Sequence, residues 1–211
     1  MNVSADKATG LNMVEILVNR SNPRIQTVAL SVISMIASAE KGIQYLTAPA
    51  ESVKRYCDFI THVPEMSVAH RFGLAVLYKF STFKDYASQM LDMKIDNYIL
   101  EFIDAYNPKK CHSYFPIFYT ALAYNLLTNA TTREKVSKFT NRYAPFCVKL
   151  LEFFKQDLPS AAHQNILEMF KFMLTEKEVY YRDLMIEARA ADTLKQYFSS
   201  LQSIFKGNYS T

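Results

Sequence analysis

The chain has 211 residues, with 24 Lys and Arg against 20 Asp and Glu, 4 Gly, 7 Pro, 3 Cys and no Trp, and half of it is hydrophobic. Charges are too sparse and aromatics too frequent for a disordered chain, and four glycines are too few for β-sandwich turns or the phosphate loops of a nucleotide-binding α/β domain. Three cysteines exclude a disulfide scaffold, and a net charge of +4 favours acidic partners only mildly, short of a nucleic-acid-binding signature.

The first residues, MNVSADKATGLNM, lack a basic head followed by an apolar core, so no secretory signal is expected. Cys57, Cys111 and Cys147 are widely spaced without a CxxC pair, and are expected to be reduced, buried thiols in a cytosolic compartment. The first helix is predicted over 11–19, and the second over 23–38, announced by Pro23. In the second, Ile25, Val28, Ala29, Val32, Ile33 and Ile36 fall on one face by steps of three and four, and are expected to be core. Gly42 fits a short helix or bend, and Thr47 with Pro49 is expected to open a helix over 48–62 that carries Tyr56 and Phe59.

A helix over 66–80 follows Pro64, with Ala69, Phe72, Gly73, Val76, Leu77 and Phe80 on its apolar face. Helices over 83–93 and 95–106 come next, and Asp92 and Asp96 are read as solvated like charges on one helix face. The stretch from Cys111 to Thr132 has no charged residue, but its apolar heart from Tyr114 to Leu127 is shorter than the roughly 20 residues that span a bilayer, so it reads as a buried helix over 115–129. Pro116 requires that helix to start near Phe115 or to kink there. Thr131-Thr132-Arg133-Glu134 has capping-box spacing and predicts a helix over 132–140. The remaining helices are predicted over 144–155, 159–174, 177–189 and 191–205, with Ile166, Met169, Phe170 and Met173 on the inner face of the second of these. Residues 1–9 and 206–211 read as frayed ends of a single domain spanning 1–211.

Four of these helices can be superposed. RIQTVALSVISMIAS at Arg24 and VAHRFGLAVLYKFST at Val68 align at an offset of 44 residues, YTALAYNLL follows at 46 and ILEMFKFML at 47. Periods of about 40–47 residues, each two or three helices, mark HEAT and armadillo arrays. The expected fold is therefore all-α: an armadillo- or HEAT-like α-solenoid of about four to five repeats.

In such an array the long helices line a groove. Ser34, Tyr78, Tyr124 and Lys171, with Met35, Lys79, Asn125 and Phe172 beside them, occupy its candidate positions. Asn125 lies in Leu122-Ala123-Tyr124-Asn125-Leu126, which resembles the armadillo "L-x-N-L" pattern, in which asparagine often bonds a bound peptide backbone. The other reading is that it satisfies a neighbouring backbone group within a buried helix. Charge is uneven along the chain. Asp85, Asp92, Asp96, Glu101 and Asp104 cluster against Lys94, and Arg133, Lys135, Lys138, Arg142 and Lys149 against Glu134. Arg133, Lys135, Lys138 and Arg142 form a candidate basic face for an acidic partner, or else a solvated face.

Catalytic signatures are missing: no HExxH, no G-x-S-x-G, no GxGxxG and no P-loop. His62, His70, His112 and His163 form no metal pattern, and His70 and His163, early in long helices, are expected to be surface or capping residues. No enzyme activity, cofactor or metal is expected.

Several phrases resemble the C-terminal armadillo region of a ciliary family, the LisH-domain-containing armadillo repeat-containing protein nine family. They are NPRIQTVALSVISMIAS with KGIQYL, FGLAVLYKFSTFKDYASQMLDMKIDNYILEFI, YTALAYNLLTNATTREKVSKF and EVYYRDLMIEARAADTLKQYF. Leu77-Tyr78-Lys79-Phe80-Ser81 matches the family's "L-x-K-F-S", Leu122 to Leu126 its "L-x-N-L", and Arg182 to Ala190 loosely its closing "R-E-x-A-R-A" segment. The family's LisH motif and coiled coil are not in this chain, which would then be a fragment or a form reduced to the repeats. The resemblance, over about residues 20–200, implies a noncatalytic protein-interaction scaffold at basal bodies or ciliary tips. It would act in cilium assembly or axonemal microtubule stability, with ciliary or microtubule-associated partners. The alternative is a cytosolic adaptor or regulatory subunit of an unrelated enzyme complex using the same groove. Tyr78, Lys79, Tyr124, Asn125 and Lys171 are the groove residues expected to meet the partner.

Overall fold

A computed structural model describes residues 22–48, 51–129 and 148–175, with scattered positions between 186 and 199. The described part is all-helical, with no strand among the described residues. Its helices are α1 (Pro23–Ile36), α2 (Glu40–Thr47), α3 (Ser52–Thr61), α4 (Val68–Phe80), α5 (Lys84–Asp92), α6 (Ile95–Ala105), α7 (Tyr114–Asn129) and α8 (Ser160–Thr175), with a helical segment at 148–154 before α8.

Prolines and caps set the starts of the long helices. At α1, Pro23 takes the first helical position, and the Asn22 side chain accepts from the backbone N–H of Arg24 at 2.9 Å, closing an otherwise orphan donor. Ser67 caps α4 by accepting from the N–H of His70 at 3.0 Å. Pro116 lies in the first turn of α7, where no intrahelical N–H donor is needed, so the helix starts at Tyr114 with Pro116 inside it. The carbonyl of Pro159 accepts from Ala162 and His163 at the start of α8.

The long helices α1, α4, α7 and α8 pack each on the next in chain order, and the shorter helices form a second row beside them: α3 against α4 and α5, and α5 and α6 against α7. One core runs between the rows, through Leu30 and Ile33 of α1, Leu74, Leu77 and Phe80 of α4, Tyr119, Leu122 and Leu126 of α7, and Ile166, Met169, Phe170 and Met173 of α8. Burying apolar side chains of this size contributes about 1.5–3 kcal/mol each, which holds the rows together.

Several expectations are corrected. Thr47 closes α2, its hydroxyl donating to the Ile43 carbonyl at 2.8 Å, so the helix carrying Tyr56 and Phe59 begins at Ser52 rather than near residue 48. Asp92 ends α5 and Asp96 lies in the first turn of α6, the two separated by Lys94 in the left-handed region at φ 59, and Asp96 is buried. They do not share a helix face. On α1 the core arc is rotated toward Leu30, Ser34 and Ala37, and it leaves Ile25, Val28 and Val32 exposed. Gly42 sits within α2 where a Cβ would lie 1.8 Å from the carbonyl oxygen of Ile36, so the close α1–α2 turn admits only glycine. The helices predicted over 11–19 and 132–140, the capping box at Thr131 and Cys147 lie outside the described residues.

Candidate interaction surface

Of the groove residues, Lys79 and Asn125 point at the preceding long helix. Asn125 Nδ2 donates to the Tyr78 carbonyl at 3.3 Å and to the Ser81 hydroxyl at 3.0 Å, and the Ser81 hydroxyl donates in turn to the same Tyr78 carbonyl at 2.6 Å. One helix earlier, Lys79 Nζ donates to the Ser34 carbonyl and, at 2.7 Å, to the Ser38 hydroxyl, which itself donates to Ser34. One helix later, Asn165 Nδ2 donates to the Ile117 carbonyl at 3.3 Å and to the Thr120 hydroxyl at 3.0 Å, and that hydroxyl donates to Ile117 and Pro116. The three junctions α1–α4, α4–α7 and α7–α8 thus carry one device: a side-chain donor bridging a backbone carbonyl and the hydroxyl three or four residues after it. Asn129 adds a bond to the Ser81 carbonyl at 3.0 Å.

The device satisfies polar groups that the packing buries. Ser81 and Thr120 are almost fully enclosed, and a buried hydroxyl without a partner costs about 1–3 kcal/mol. Burial also pushes the Lys79 ammonium below the usual lysine range. The structure therefore brings Asn125 together with Tyr78 and seats Lys79 on α1, so both donors are engaged at helix seams. Asn165 is absent from the sequence-derived set: it follows His163 and Gln164 near the polar start of α8, so nothing in the local sequence sets it apart.

The other groove positions face outward to different degrees. Tyr78 is half-buried with its ring 6.3 Å from Phe118, Tyr124 is half-buried, and Lys171 is exposed and meets Glu168 at 3.4 Å. Phe172 is half-buried, Ser34 is buried, and Met35 is 74 % exposed. Arg133, Lys135, Lys138 and Arg142 lie outside the described residues. Lys149, from the same basic stretch, pairs with Asp104 from the acidic one. That pair borders a recess of about 190 Å³ between α6 and the 148–154 segment.

A buried polar cluster forms around His70 between α4, α6 and α7. His70, expected at the surface, is fully enclosed. Its Nδ1 accepts from the Met66 N–H at 3.0 Å, which fixes the proton on Nε2, and Nε2 lies 2.5 Å from the Tyr98 hydroxyl and 3.2 Å from that of Tyr119. Burial lowers the His70 pKa to about 4, so the ring is neutral, and burial raises both tyrosines, Tyr98 to about 12. Phe102 stacks on Tyr119 at 3.8 Å and completes the enclosure. His163 is half-buried, its Nε2 3.1 Å from the Phe154 carbonyl. Cys57 is buried and Cys111 half-buried, and burial raises their thiols to about 12 and 11, away from nucleophilic range.

Among the described residues no group of three or more His, Cys, Asp or Glu could hold a metal ion, and no helix is long and apolar enough to cross a membrane. No family model and no curated protein matches the chain. It is similar in fold to a crystal structure of an engineered protein from the Northeast Structural Genomics Consortium, with a TM-score of 0.69 and 16% identity over 87% of this chain and 72% of that one. At that identity the likeness concerns the fold alone.

Proposed function

We propose that the chain is a noncatalytic protein-interaction scaffold, an armadillo-like solenoid whose long-helix face receives a segment of a partner. The observation that supports this reading is the seam device at three successive long-helix junctions, at sequence separations of 41–48 residues. Equivalent bonds at regular intervals are what stacked repeats of one supersecondary unit produce. Because Lys79 and Asn125 hold the seams, the partner contacts fall to Tyr78, Tyr124 and Lys171, whose rings and ammonium suit a segment with apolar and acidic residues.

The family resemblance directs the reading toward the cilium or basal body, with microtubules or their associated proteins as partners and Arg133, Lys135, Lys138 and Arg142 as an accessory basic face. Microtubule co-sedimentation at low salt tests it. The wild type is expected to pellet with microtubules, and a Lys135/Lys138/Arg142 triple alanine variant to pellet less, with the difference shrinking as salt is raised. A wild type that stays in the supernatant removes direct microtubule contact and leaves the cytosolic adaptor reading. A Tyr78→Ala/Tyr124→Ala variant then separates groove-mediated capture of a partner from capture elsewhere.

A further inference from the structure

The start of α4 and the loop before α7 share a basic, partly aromatic surface. The Arg71 guanidinium lies 4.9 Å from the centre of the Phe72 ring and 5.0 Å from that of Tyr114, and the His112 ring stacks on Tyr114 at 4.3 Å. Cation–π contact holds a guanidinium in place without using any of its N–H groups. Among the described residues Arg71 forms no ion pair and no side-chain hydrogen bond, so its planar fork of donors is open. The loop is fixed beside it. The Lys110 and Cys111 N–H groups donate to the Asn107 carbonyl at 3.0 and 2.9 Å, and Cys111 Sγ lies 3.8 Å from Met66 Sδ at the approach to α4. This loop carries Lys109 and Lys110, both exposed and neither ion-paired among the described residues. Against these three cations, residues 62–78 and 105–129 contain one acid, Glu65. Val68, one turn before Arg71 and 56 % exposed, and Tyr114, 43 % exposed, add apolar surface.

We propose that this surface docks an acidic peptide segment of a partner protein, with a carboxylate received by Arg71 and a neighbouring apolar side chain set against Tyr114 and Val68. A guanidinium fork meets a carboxylate through two parallel hydrogen bonds, and a fork already positioned by two rings loses little freedom on binding. Lys109 and Lys110 steer acidic residues toward it. The apolar surface beside the cations, and a net charge of only +4 over the chain, favour a peptide over a nucleic acid. The surface uses none of Tyr78, Tyr124 and Lys171, so it holds whether or not the long-helix face captures a segment.

Fluorescence anisotropy of the full chain with a fluorescein-labelled Glu-Leu-Glu-Glu-Phe-Glu peptide tests this, with the same peptide carrying Gln for Glu as control. At low salt the wild type is expected to bind the glutamate peptide and not the glutamine one. Arg71→Gln is expected to weaken binding about tenfold, and Arg71→Lys nearly as much, because an ammonium lacks the fork. Lys109→Gln with Lys110→Gln is expected to weaken it about threefold. Both lie on an exposed loop, so this pair keeps the test decisive if Arg71→Gln loses helix content by circular dichroism. Lys84→Gln removes one charge from α5 and is expected to leave the affinity unchanged. No binding of the glutamate peptide by the wild type overturns the proposal, as does an affinity that neither the Arg71 nor the loop variants change. A loss from Lys84→Gln equal to that from Arg71→Gln also overturns it, reducing the effect to net charge. So does tighter, Arg71-dependent binding of a labelled single-stranded oligonucleotide, which makes the partner a nucleic acid.

Discussion

α1 and α4 carry the same hydrophobic pattern 44 residues apart, yet their surroundings differ. Leu30 and Leu74, and Ile33 and Leu77, match and are all buried. Val32 is 43 % exposed while its counterpart Val76 is fully buried, and half-buried Gln26 corresponds to enclosed His70. Beyond its first turn α4 is enclosed on both faces, whereas α1 keeps one face exposed, and the apolar pattern is the same in both. Local sequence therefore specifies the helix, and the packing around it decides what each face meets.

The strongest way to break this comparison is to place a charge at matched positions. Val76→Lys puts an ammonium into a fully enclosed apolar site and is expected to cost roughly 4 kcal/mol or more, enough to unfold a marginal domain. Val32→Lys is expected to cost less than half as much. Urea unfolding of the two variants measures both, and equal costs would mean that α1 and α4 are buried alike.

The Gln26–His70 pair sharpens the contrast through pH. The pKa of His70 falls from 6.5 unfolded to about 4 folded, so the unfolded chain binds the extra proton first. The contribution of the neutral ring is complete above about pH 6.5, declines as pH falls from there toward 4, and changes no further below that. At 1.36 kcal/mol per pKa unit the swing is roughly 3 kcal/mol. His70→Gln is expected to be less stable than the wild type at pH 7, with the gap narrowing by pH 5. A gap constant with pH would place the ring's burial in doubt.

The smallest effect concerns the seams. Asn125→Ala removes two bonds and leaves Ser81 with only its own carbonyl partner, an expected loss of about 1–2 kcal/mol in thermal or urea unfolding. Asn125→Asp, which keeps the shape but removes the donor, is expected to be no better.

The long helices were legible because their apolar residues recur at three and four and because proline stands before or within their first turns. Other features had no local signal. α2 starts at Ala39 without a side-chain cap and buries only Ile43 and Leu46, too little for periodicity to show. The left-handed residues that separate helices, Glu51 at φ 61 and Lys94 at φ 59, are not glycines, so no composition rule marks them. His70 looked like a surface residue because its enclosing partners Tyr98 and Tyr119 come from helices 28 and 49 residues away. Asn125 stood out as a polar residue in an apolar run, but its acceptors on α4 emerge only once α4 and α7 are packed.

The three seams differ in one respect that bears on mechanics. At the α4–α7 and α7–α8 junctions the bridge is an asparagine amide, planar and only two rotatable bonds from the backbone, whereas at α1–α4 it is the four-carbon stem of Lys79. A short stiff bridge fixes how far one helix slides along the next, and a long jointed one lets it slide while both bonds persist. Of the three seams, the one between α1 and α4 therefore has the bridge that leaves its two helices most freedom to slide.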